Sequence, residues 1–271
     1  MTKTILITGS TDGIGLQTAK MLASMGHHIL LHGRSATKLK KTEEIISKIS
    51  GAGRVESYEA DLSRMVNVQA LAQSLTENHA HIDVVINNAG VYSAPNNRTQ
   101  DGLDIRFAVN TIAPYLLTKM LLSLLGDSGR VINVSSAAQS PVNLEALRGN
   151  IQLSDGMAYA QSKLAIIMWS RQLASLNESP SIVAVNPGSM LGSKMVKEAF
   201  GVAGKDILIG AKILSRLALD NEFANLSGEY FDNDMGRFGM PHPDAINTQK
   251  SKEVVDTIVN IINDILPDTL E

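Results

Sequence analysis

Short apolar runs rich in β-branched residues alternate with longer helical segments along most of the chain. The runs occupy residues 4–8, 28–32, 55–60, 83–87, 129–135 and 181–186, and Tyr230 and Phe231 indicate a last short strand. Strands that alternate with helices are joined by right-handed crossovers and form a parallel sheet with helices on both faces. We therefore expect an α/β chain with a doubly wound parallel sheet of about seven strands.

The segments between these runs have helical patterns. Helices are predicted at 15–25, 35–50, 65–78, within 102–124, at 159–177 and at 207–219. The stretch of about 189–225 is less regular, and no low-complexity linker separates it from the rest. We interpret it as an excursion of one single domain that spans residues 1–271.

Composition excludes several classes of function. The formal charge of −3 and pI near 6.1 do not favour binding to nucleic acid or to an anionic membrane. The absence of cysteine excludes disulfides and thiolate metal sites. Neither a cleavable leader nor an apolar run long enough to span a bilayer is evident, so we expect a cytoplasmic protein. The six histidines have no ligand spacing, and no metal site is predicted.

A glycine-rich turn follows the first predicted strand and opens the first helix. Its sequence is Thr-Gly-Ser-Thr-Asp-Gly-Ile-Gly, residues 8–15. Gly9, Gly13 and Gly15 allow a tight turn and a close approach of the backbone to a pyrophosphate at the helix N-terminus. This position in the chain favours dinucleotide binding over an ordinary strand–helix turn.

Tyr159 and Lys163 lie four residues apart in a predicted helix and therefore on one face. An ammonium beside a phenol lowers the phenol pKa from its usual value near 10. The pair could exchange a proton near neutral pH, although this spacing also occurs on ordinary solvated helices.

Together with Asn-Asn-Ala-Gly at 87–90 and Pro187-Gly188, these motifs resemble the short-chain dehydrogenase/reductase family, over residues 1 to about 195. Within it, the chain is most similar to the retinol-dehydrogenase-like and WW-domain-oxidoreductase-like branch. The resemblance implies a Rossmann-type fold and hydride transfer between a nicotinamide and a small-molecule carbonyl or alcohol.

The end of the second strand predicts the cofactor. An NAD site needs a carboxylate there to accept from the ribose 2′-hydroxyl, but Gly33 occupies the place. Arg34 and Ser35 can instead bind a 2′-phosphate, so we expect NADP(H). By resemblance, the remaining cofactor-binding residues are Gly9, Ser10, Thr11, Gly13, Ile14, Gly15, Asp61, Leu62, Asn87, Ala89, Gly90, Tyr159, Lys163, Pro187, Gly188 and Ser193.

The resemblance also assigns catalytic roles. Ser136 would hydrogen-bond the substrate oxygen, with Ser135 as the alternative. Tyr159 would be the acid, and Lys163 would lower its pKa and hold the nicotinamide ribose. Asn110 would support a water that links Lys163 to solvent.

Two departures from the family pattern stand out. Ser136 and Tyr159 are 159 − 136 = 23 residues apart, about ten more than in many members, so the segment 139–156 is extended. Gly192 replaces the usual threonine that binds the nicotinamide carboxamide, which leaves Ser193 or Ser189 for that role.

The substrate is predicted from the segment that usually closes over it. Met190, Leu191, Met195, Phe200 and Val202 favour a lipophilic carbonyl or alcohol, although such a loop could simply pack on the body of the protein. A catalytically silent NADP-binding regulator, and an epimerase or C=C reductase on the same fold, remain alternatives. A homo-oligomer is possible through the helices that carry Asn110 and Tyr159, unless their apolar outer faces are core.

Overall fold

One eight-stranded sheet organises the chain. The computed structural model describes residues 1–176, 180–224, 226–267 and 269–270. The strand order is β3-β2-β1-β4-β5-β6-β7-β8, parallel from β3 to β7, with β8 antiparallel at the edge. The strands are β1 Thr4–Ile7, β2 His28–Gly33, β3 Val55–Glu59, β4 Val84–Asn87, β5 Arg130–Val134, β6 Ser181–Asn186, β7 Tyr230–Asp232 and β8 Arg237–Phe238.

Helices cover both faces of the sheet. They are α1 Gly13–Ser24, α2 Ala36–Ser47, α3 Met65–Asn78, α4 Ile105–Phe107, α5 Ala113–Met120, α6 Leu122–Leu125, α7 Leu144–Leu147, α8 Asp155–Ala174, α9 Lys194–Phe200, α10 Leu208–Leu219, α11 Pro243–Ile246 and α12 Thr248–Ile265. One apolar layer joins the sheet to α3, α5, α8 and α12, and the other joins it to α1, α2 and α10. The predicted doubly wound parallel sheet is confirmed, with β8 as an additional edge strand.

The predicted helical stretch 102–124 is not one helix. It contains α4, a π-helical turn at Ala108–Ile112, α5 and α6. The amide of Ala113 bonds the carbonyl of Ala108, five residues back, which inserts one extra residue into the turn that holds Asn110. Such π-turns occur often at functional sites, and propensity patterns do not indicate them.

Helix α12 lies beyond the predicted elements. Its apolar residues Val254, Ile258, Ile261 and Ile262 recur at helical spacing after the Asn247 cap and pack against α8. Three predicted boundaries, residues 177, 225 and 271, lie outside the described residues. The long helix itself starts at Asp155, four residues before its predicted start.

The reversal of strand order between β1 and β4 positions the site. The chain first builds β1, β2 and β3 outward and then returns to add β4 on the other side of β1. Ligands of open α/β sheets bind at the carboxyl ends of the strands where the order reverses. The glycine-rich turn after β1 and the turn after β4 therefore flank one crevice.

The outer face of α5 belongs to the core. Leu116, Leu117 and Leu121 are completely buried within the protomer, and Met120 is partly buried against them. The three leucines therefore pack inside the protomer.

Candidate active site

The glycine-rich turn lies directly against the turn after β4. Gly9 has φ of +65°, and a Cβ added to it would lie 2.9 Å from the Cα of Ala89. A Cβ on Gly15 would lie 2.4 Å from both Asn88 Nδ2 and the Gly9 carbonyl oxygen. Only glycine fits at these two positions, so the backbone itself forms the wall of the crevice.

Asn88 and Thr8 connect the two turns. The Thr8 hydroxyl oxygen accepts from the amides of Asn88 and Ala89, both at 3.0 Å. The Asn88 amide group donates to the carbonyls of Thr8 (2.9 Å) and Gly9 (3.1 Å). Asn88 was not among the predicted site residues, although it lies within the Asn-Asn-Ala-Gly motif.

His32 is a second residue whose role the sequence did not indicate. Its Nδ1 accepts from the Gly9 amide at 3.1 Å, and its Nε2 donates to the Ala60 carbonyl at 3.1 Å. Burial lowers the pKa of His32 to about 4, which keeps the ring neutral. The Ser10 hydroxyl donates to the His32 carbonyl and accepts from the His32 amide. The imidazole thereby joins the carboxyl ends of β1, β2 and β3.

In the first turn of α1, the amides of Ile14 and Gly15 bond no acceptor among the described residues. The first bond within the helix runs from the Leu16 amide to the Asp12 carbonyl, and the Asp12 carboxylate accepts from the Gly13 amide at 2.7 Å. The amides of Ile14 and Gly15 precede that bond and point out of the helix end. They form a donor set suited to a phosphate.

The end of β2 has no space for an acidic side chain at Gly33 and presents an exposed arginine. A Cβ on Gly33 would lie 2.8 Å from the Thr11 methyl carbon, so a carboxylate there would displace Thr11. Arg34 is exposed, and the Ser35 hydroxyl caps α2 by accepting from the Lys38 amide at 3.5 Å. After β3, Asp61 accepts from the Ser63 amide at 3.0 Å and Leu62 is buried.

Asn87 and Asn110 hold the loops around the crevice. The buried Asn87 amide donates to Thr118 and Asn133 within the sheet–helix layer. Asn110 bonds both the amide and the carbonyl of Val91, at 2.8 and 3.0 Å, and donates to the Ser162 hydroxyl at 3.0 Å. Its side chain therefore ties the loop after β4 to α8.

Lys163 lies next to the turn after β4 and is almost fully buried. Its Nζ donates to the Val134 carbonyl at 2.7 Å, and a Cβ on Gly90 would lie 3.5 Å from it. Burial lowers the pKa of Lys163 to about 8. The ammonium lies 5.6 Å from the centre of the Tyr159 ring.

The pKa of Tyr159 differs from the prediction. Burial raises the pKa above its ordinary value, a hydrogen bond with Ser136 acts in the opposite direction, and Tyr92 adds to the rise. The expected lowering by Lys163 is therefore wrong for the protein by itself. The physical reason is that Lys163 bonds Val134 and is itself poorly hydrated, so desolvation of the phenolate prevails.

The two adjacent serines have different surroundings. The Ser135 hydroxyl is buried and donates to the Lys163 carbonyl at 2.6 Å. Ser136 is half-buried, accepts from the Ala138 amide at 3.1 Å and interacts with the Tyr159 hydroxyl. Of the two, Ser136 is the one placed beside Tyr159.

Both candidates for the carboxamide contact are already engaged. The Ser193 hydroxyl caps α9 by accepting from the Val196 amide at 3.2 Å. The Ser189 hydroxyl donates to Asp234. Pro187 and Gly188 end β6 at the crevice, where the Gly188 amide donates to the Asn186 side chain at 3.2 Å.

An aromatic wall closes one side of the reaction centre. The Tyr92 ring lies 5.0 Å from the Tyr159 ring and 5.4 Å from the Phe200 ring, measured between centroids. Tyr92 was not a predicted site residue; the available signal was its position two residues after Gly90. Of the apolar residues predicted to cover substrate, Leu191 is buried, whereas Met190, Phe200 and Val202 are exposed.

No helix among the described residues combines the length and apolar character that crossing a bilayer requires. In the same part of the chain, no three His, Asp or Glu side chains converge as metal ligands would.

The chain is similar to known dehydrogenases. A family model described as short chain dehydrogenase matches residues 3–201. Human polyprenol dehydrogenase is 34% identical over 207 residues, which cover 72% of this chain and 62% of that protein. Human retinol dehydrogenase 13 is 31% identical over 251 residues, which cover 85% of this chain and 76% of that protein.

Solved structures agree with these relatives. An uncharacterized protein from Mycobacterium paratuberculosis superimposes with a TM-score of 0.77 at 26% identity, covering 96% of this chain and 92% of that one. A short chain dehydrogenase from Shigella flexneri complexed with NADP has a TM-score of 0.67 at 27% identity, covering 86% and 97%. The chain belongs to the short chain dehydrogenase family.

Proposed function

We propose that this chain is an NADP(H)-dependent oxidoreductase that interconverts a lipophilic aldehyde or ketone and its alcohol, with Tyr159 as the general acid and base. The observation that carries the proposal is the meeting of Tyr159, Ser136 and Lys163 beside the turn after β4. That turn lies against Lys163 at Gly90 and contacts the glycine-rich turn after β1 through Ala89. A proton donor thus adjoins a site shaped for a dinucleotide.

The residues present fit NADP(H). The free amides at the start of α1 suit the pyrophosphate, and the exposed Arg34 suits a 2′-phosphate. The contact between Gly33 and Thr11 leaves little space for the carboxylate that an NAD site needs. The Shigella flexneri relative was solved with NADP. When bound, the cofactor supplies or accepts the hydride.

The protein's own groups handle the proton. In reduction, the Tyr159 hydroxyl donates its proton to the substrate oxygen as negative charge develops there, and the Ser136 hydroxyl donates a hydrogen bond to the same oxygen. The raised pKa of Tyr159 keeps the phenol protonated at neutral pH, which suits its role as acid. Oxidation requires phenolate, so it is favoured at higher pH.

The substrate class follows from the aromatic wall. Tyr92 and Phe200 present ring surface next to Tyr159, and such surface stabilises apolar substrates. The names of two relatives refer to retinol and polyprenol, both lipophilic alcohols. We infer an apolar chain or ring attached to the reacting carbon.

The same proposal covers the organisation of the chain. Residues 1–271 act as one catalytic domain, and the excursion of about 189–225 covers the substrate. Asn110 supports the water that connects Lys163 to solvent, and Ser193 approaches the carboxamide. We further propose a cytoplasmic location, which cell fractionation tests, and possible homo-oligomers, which light scattering tests.

Turnover of NADPH with a panel of carbonyls tests the proposal. We expect oxidation of NADPH with long-chain or aromatic aldehydes, and a loss of about 100-fold or more in kcat in Tyr159→Phe with NADPH binding retained. Tyr58→Phe is the control. The Tyr58 hydroxyl contacts Glu56, on β3, and His79, which directly follows α3, and neither residue belongs to the proposed site.

Three outcomes would contradict it. Undiminished turnover in Tyr159→Phe would show that Tyr159 is not the proton donor. Activity confined to small charged carbonyls would overturn the substrate class. NADPH binding with no turnover on any carbonyl would favour the regulatory alternative.

A further inference from the structure

A completely buried arginine lies one helical turn away from the reaction centre. The Arg106 side chain, in α4, has 0% exposure and is surrounded by acceptors. Its Nε and Nη2 bond the two carboxylate oxygens of Asp104 at 2.8 and 2.5 Å, and its Nη1 bonds Asp155 at 2.5 Å and the Asn97 side-chain oxygen at 3.2 Å. All three nitrogens of the guanidinium are therefore used.

The partners of Arg106 lie on three segments that meet at the site. Asn97 belongs to the loop after β4, which also carries Tyr92. Arg106 precedes Asn110 by four residues, and Asp155, the first residue of α8, precedes Tyr159 by four. Residues four apart on a helix lie on one face. The Arg106–Asp155 pair therefore joins α4 to the first residue of α8, and Asn110 joins the π-turn to the same helix at Ser162.

Charge and hydrogen bonding together stabilise the junction that Arg106 forms with Asp104, Asn97 and Asp155. Burial disfavours the cation, but the hydrogen bonds and charges of Asp104 and Asp155 outweigh it, so the pKa of Arg106 is raised. A planar guanidinium with bidentate partners also fixes direction, which a single hydrogen bond does not. Moving α8 away would leave a buried charge without one of its partners, which is strongly unfavourable.

The extended segment 139–156 attaches at the same place. Arg98 Nη1 donates to the Gly149 carbonyl at 3.3 Å, and a Cβ on Gly149 would lie 2.4 Å from the Gly102 carbonyl oxygen. The Asn143 amide donates to the Gln161 side chain, on α8, at 2.9 Å. The extra residues are thus held against α8 and against the hairpin at residues 98–104, which the antiparallel Arg98–Asp104 bridge closes.

We propose that Arg106 is a positioning residue for the reaction. It fixes the N-terminal turn of α8, and so the Tyr159 hydroxyl, relative to Ser136 on the sheet and Asn110 on the π-turn. The extended segment completes the same junction, because it connects β5 to α8 and rests on the hairpin that Arg106 holds. This inference rests on the proposed function, since it takes Tyr159 as the acid.

Asp155→Asn is the decisive variant. It removes one charge from the junction but leaves Arg106 paired with Asp104, and the Asp155 side chain is 42% exposed, so the fold is retained. We expect kcat to fall about tenfold or more, because misplacement of a reacting group by about 1 Å costs up to about 100-fold. NADPH affinity should fall less than kcat, because the glycine-rich turn and Arg34, which are proposed to hold the phosphates, do not belong to α8.

The pH profile separates positioning from stability. If Tyr159 moves away from Ser136, it loses the hydrogen bond that lowers its pKa. Alcohol oxidation by Asp155→Asn then reaches half of its maximal kcat at a higher pH than in the wild type. Loss of folded protein alone would scale the curve without moving it.

Arg106→Met and Arg130→Met form a matched pair of buried-arginine variants. Arg130 donates to the carbonyls of Leu217 and Asp220 at the opposite end of β5 from Ser136. We expect Arg130→Met to lower the unfolding midpoint but to leave kcat per folded molecule and the pH profile unchanged. Arg106→Met should change the unfolding midpoint, kcat per folded molecule and the pH profile. If Arg106→Met does not fold, Asp155→Asn still tests the positioning role.

The inference is overturned if Asp155→Asn folds, binds NADPH and keeps the wild-type kcat and pH profile. It is also overturned if Arg130→Met shifts the profile as Asp155→Asn does, because the effect would then be general. A wild-type protein that turns over no carbonyl contradicts the proposed function itself, which distinguishes that failure from a failure of the positioning role alone.

Discussion

Arg34 decides between NADPH and NADH in this account. It is exposed at the end of β2, where Gly33 leaves no carboxylate. We expect Arg34→Ala to raise the Kd of NADPH about 10- to 100-fold, the loss of a charge-assisted hydrogen bond of roughly 1.5–3 kcal/mol, with little change for NADH. Fluorescence titration measures both constants. Lys48→Ala, at the far end of α2, is the control; equal weakening of NADPH and NADH would contradict the prediction.

Lys163 makes stability depend on pH. Its pKa is about 8 in the folded chain against 10.5 as the ordinary value. The unfolded chain therefore binds this proton more tightly, so the cost of burying the ammonium is full below about pH 8 and fades as pH rises toward 10.5. The free energy of unfolding should then increase by up to ~2 kcal/mol between about pH 8 and 9.5.

Urea unfolding without added nucleotide measures this increase against Lys163→Met. The variant lacks the titrating group, so we expect its stability to stay flatter over the same range. Lys252→Met, on the exposed side of α12, should follow the wild type. Parallel curves for the wild type and Lys163→Met would show that Lys163 does not titrate in this window.

Some residue roles could be predicted from the sequence and others could not. The motif around Tyr159 and Lys163 indicated which residues meet, because their spacing and order are local properties of the chain. The role of His32 was not predictable in the same way, since its partners Gly9 and Ala60 lie in the turns after β1 and β3. The rise in the Tyr159 pKa depends on burial, which the motif does not encode.

At the scale of elements, the segment after β6 is attached at its base and loosely packed at its tip. Every residue of α9 is described and none is buried. The base is fixed by Asp234, whose carboxylate accepts from the Ser189 amide at 3.0 Å and the Asn186 side chain at 2.9 Å and lies 3.8 Å from Lys205 Nζ. This arrangement suits a cover over the aromatic wall.

Asp234→Ala should therefore loosen the cover without disturbing the sheet. We expect faster hydrogen exchange at residues 189–205 and a KM for lipophilic substrate several-fold higher, because the Asp234 carboxylate holds Ser189 at the base of the segment. Asp127→Ala, in the exposed turn before β5, is the control. Unchanged exchange in Asp234→Ala would mean that α9 is held by other contacts.

Elements also show why part of the prediction differed. Helices were predicted within 102–124 without internal boundaries, and the π-turn and the break at Leu121 set those boundaries. The turn is stabilised by tertiary bonds of Asn110 to Val91 and Ser162, which a local pattern does not contain. The extended segment 139–156 likewise takes its shape from contacts with the hairpin at 98–104.

For the whole molecule, alternation of strands and helices was enough to predict the parallel sheet and its two helical layers. It was not enough for the edges: β8 has two residues, and its pairing with β7 depends on a turn rather than on apolar pattern. The site lies at the well-predicted centre, where β1, β4 and β5 end. The substrate cover and the junction around Arg106 lie where contacts between distant segments decide the structure.

The fate of the hydride tests the central claim most directly. We predict that NADPH labelled with deuterium at the transferred position, incubated with this protein and an α,β-unsaturated lipophilic aldehyde, yields an alcohol with deuterium on the former carbonyl carbon, and that Tyr159→Phe abolishes the product. Deuterium on the β-carbon would indicate C=C reduction. Label retained by NADPH, with no reduced product, would contradict the account as a whole.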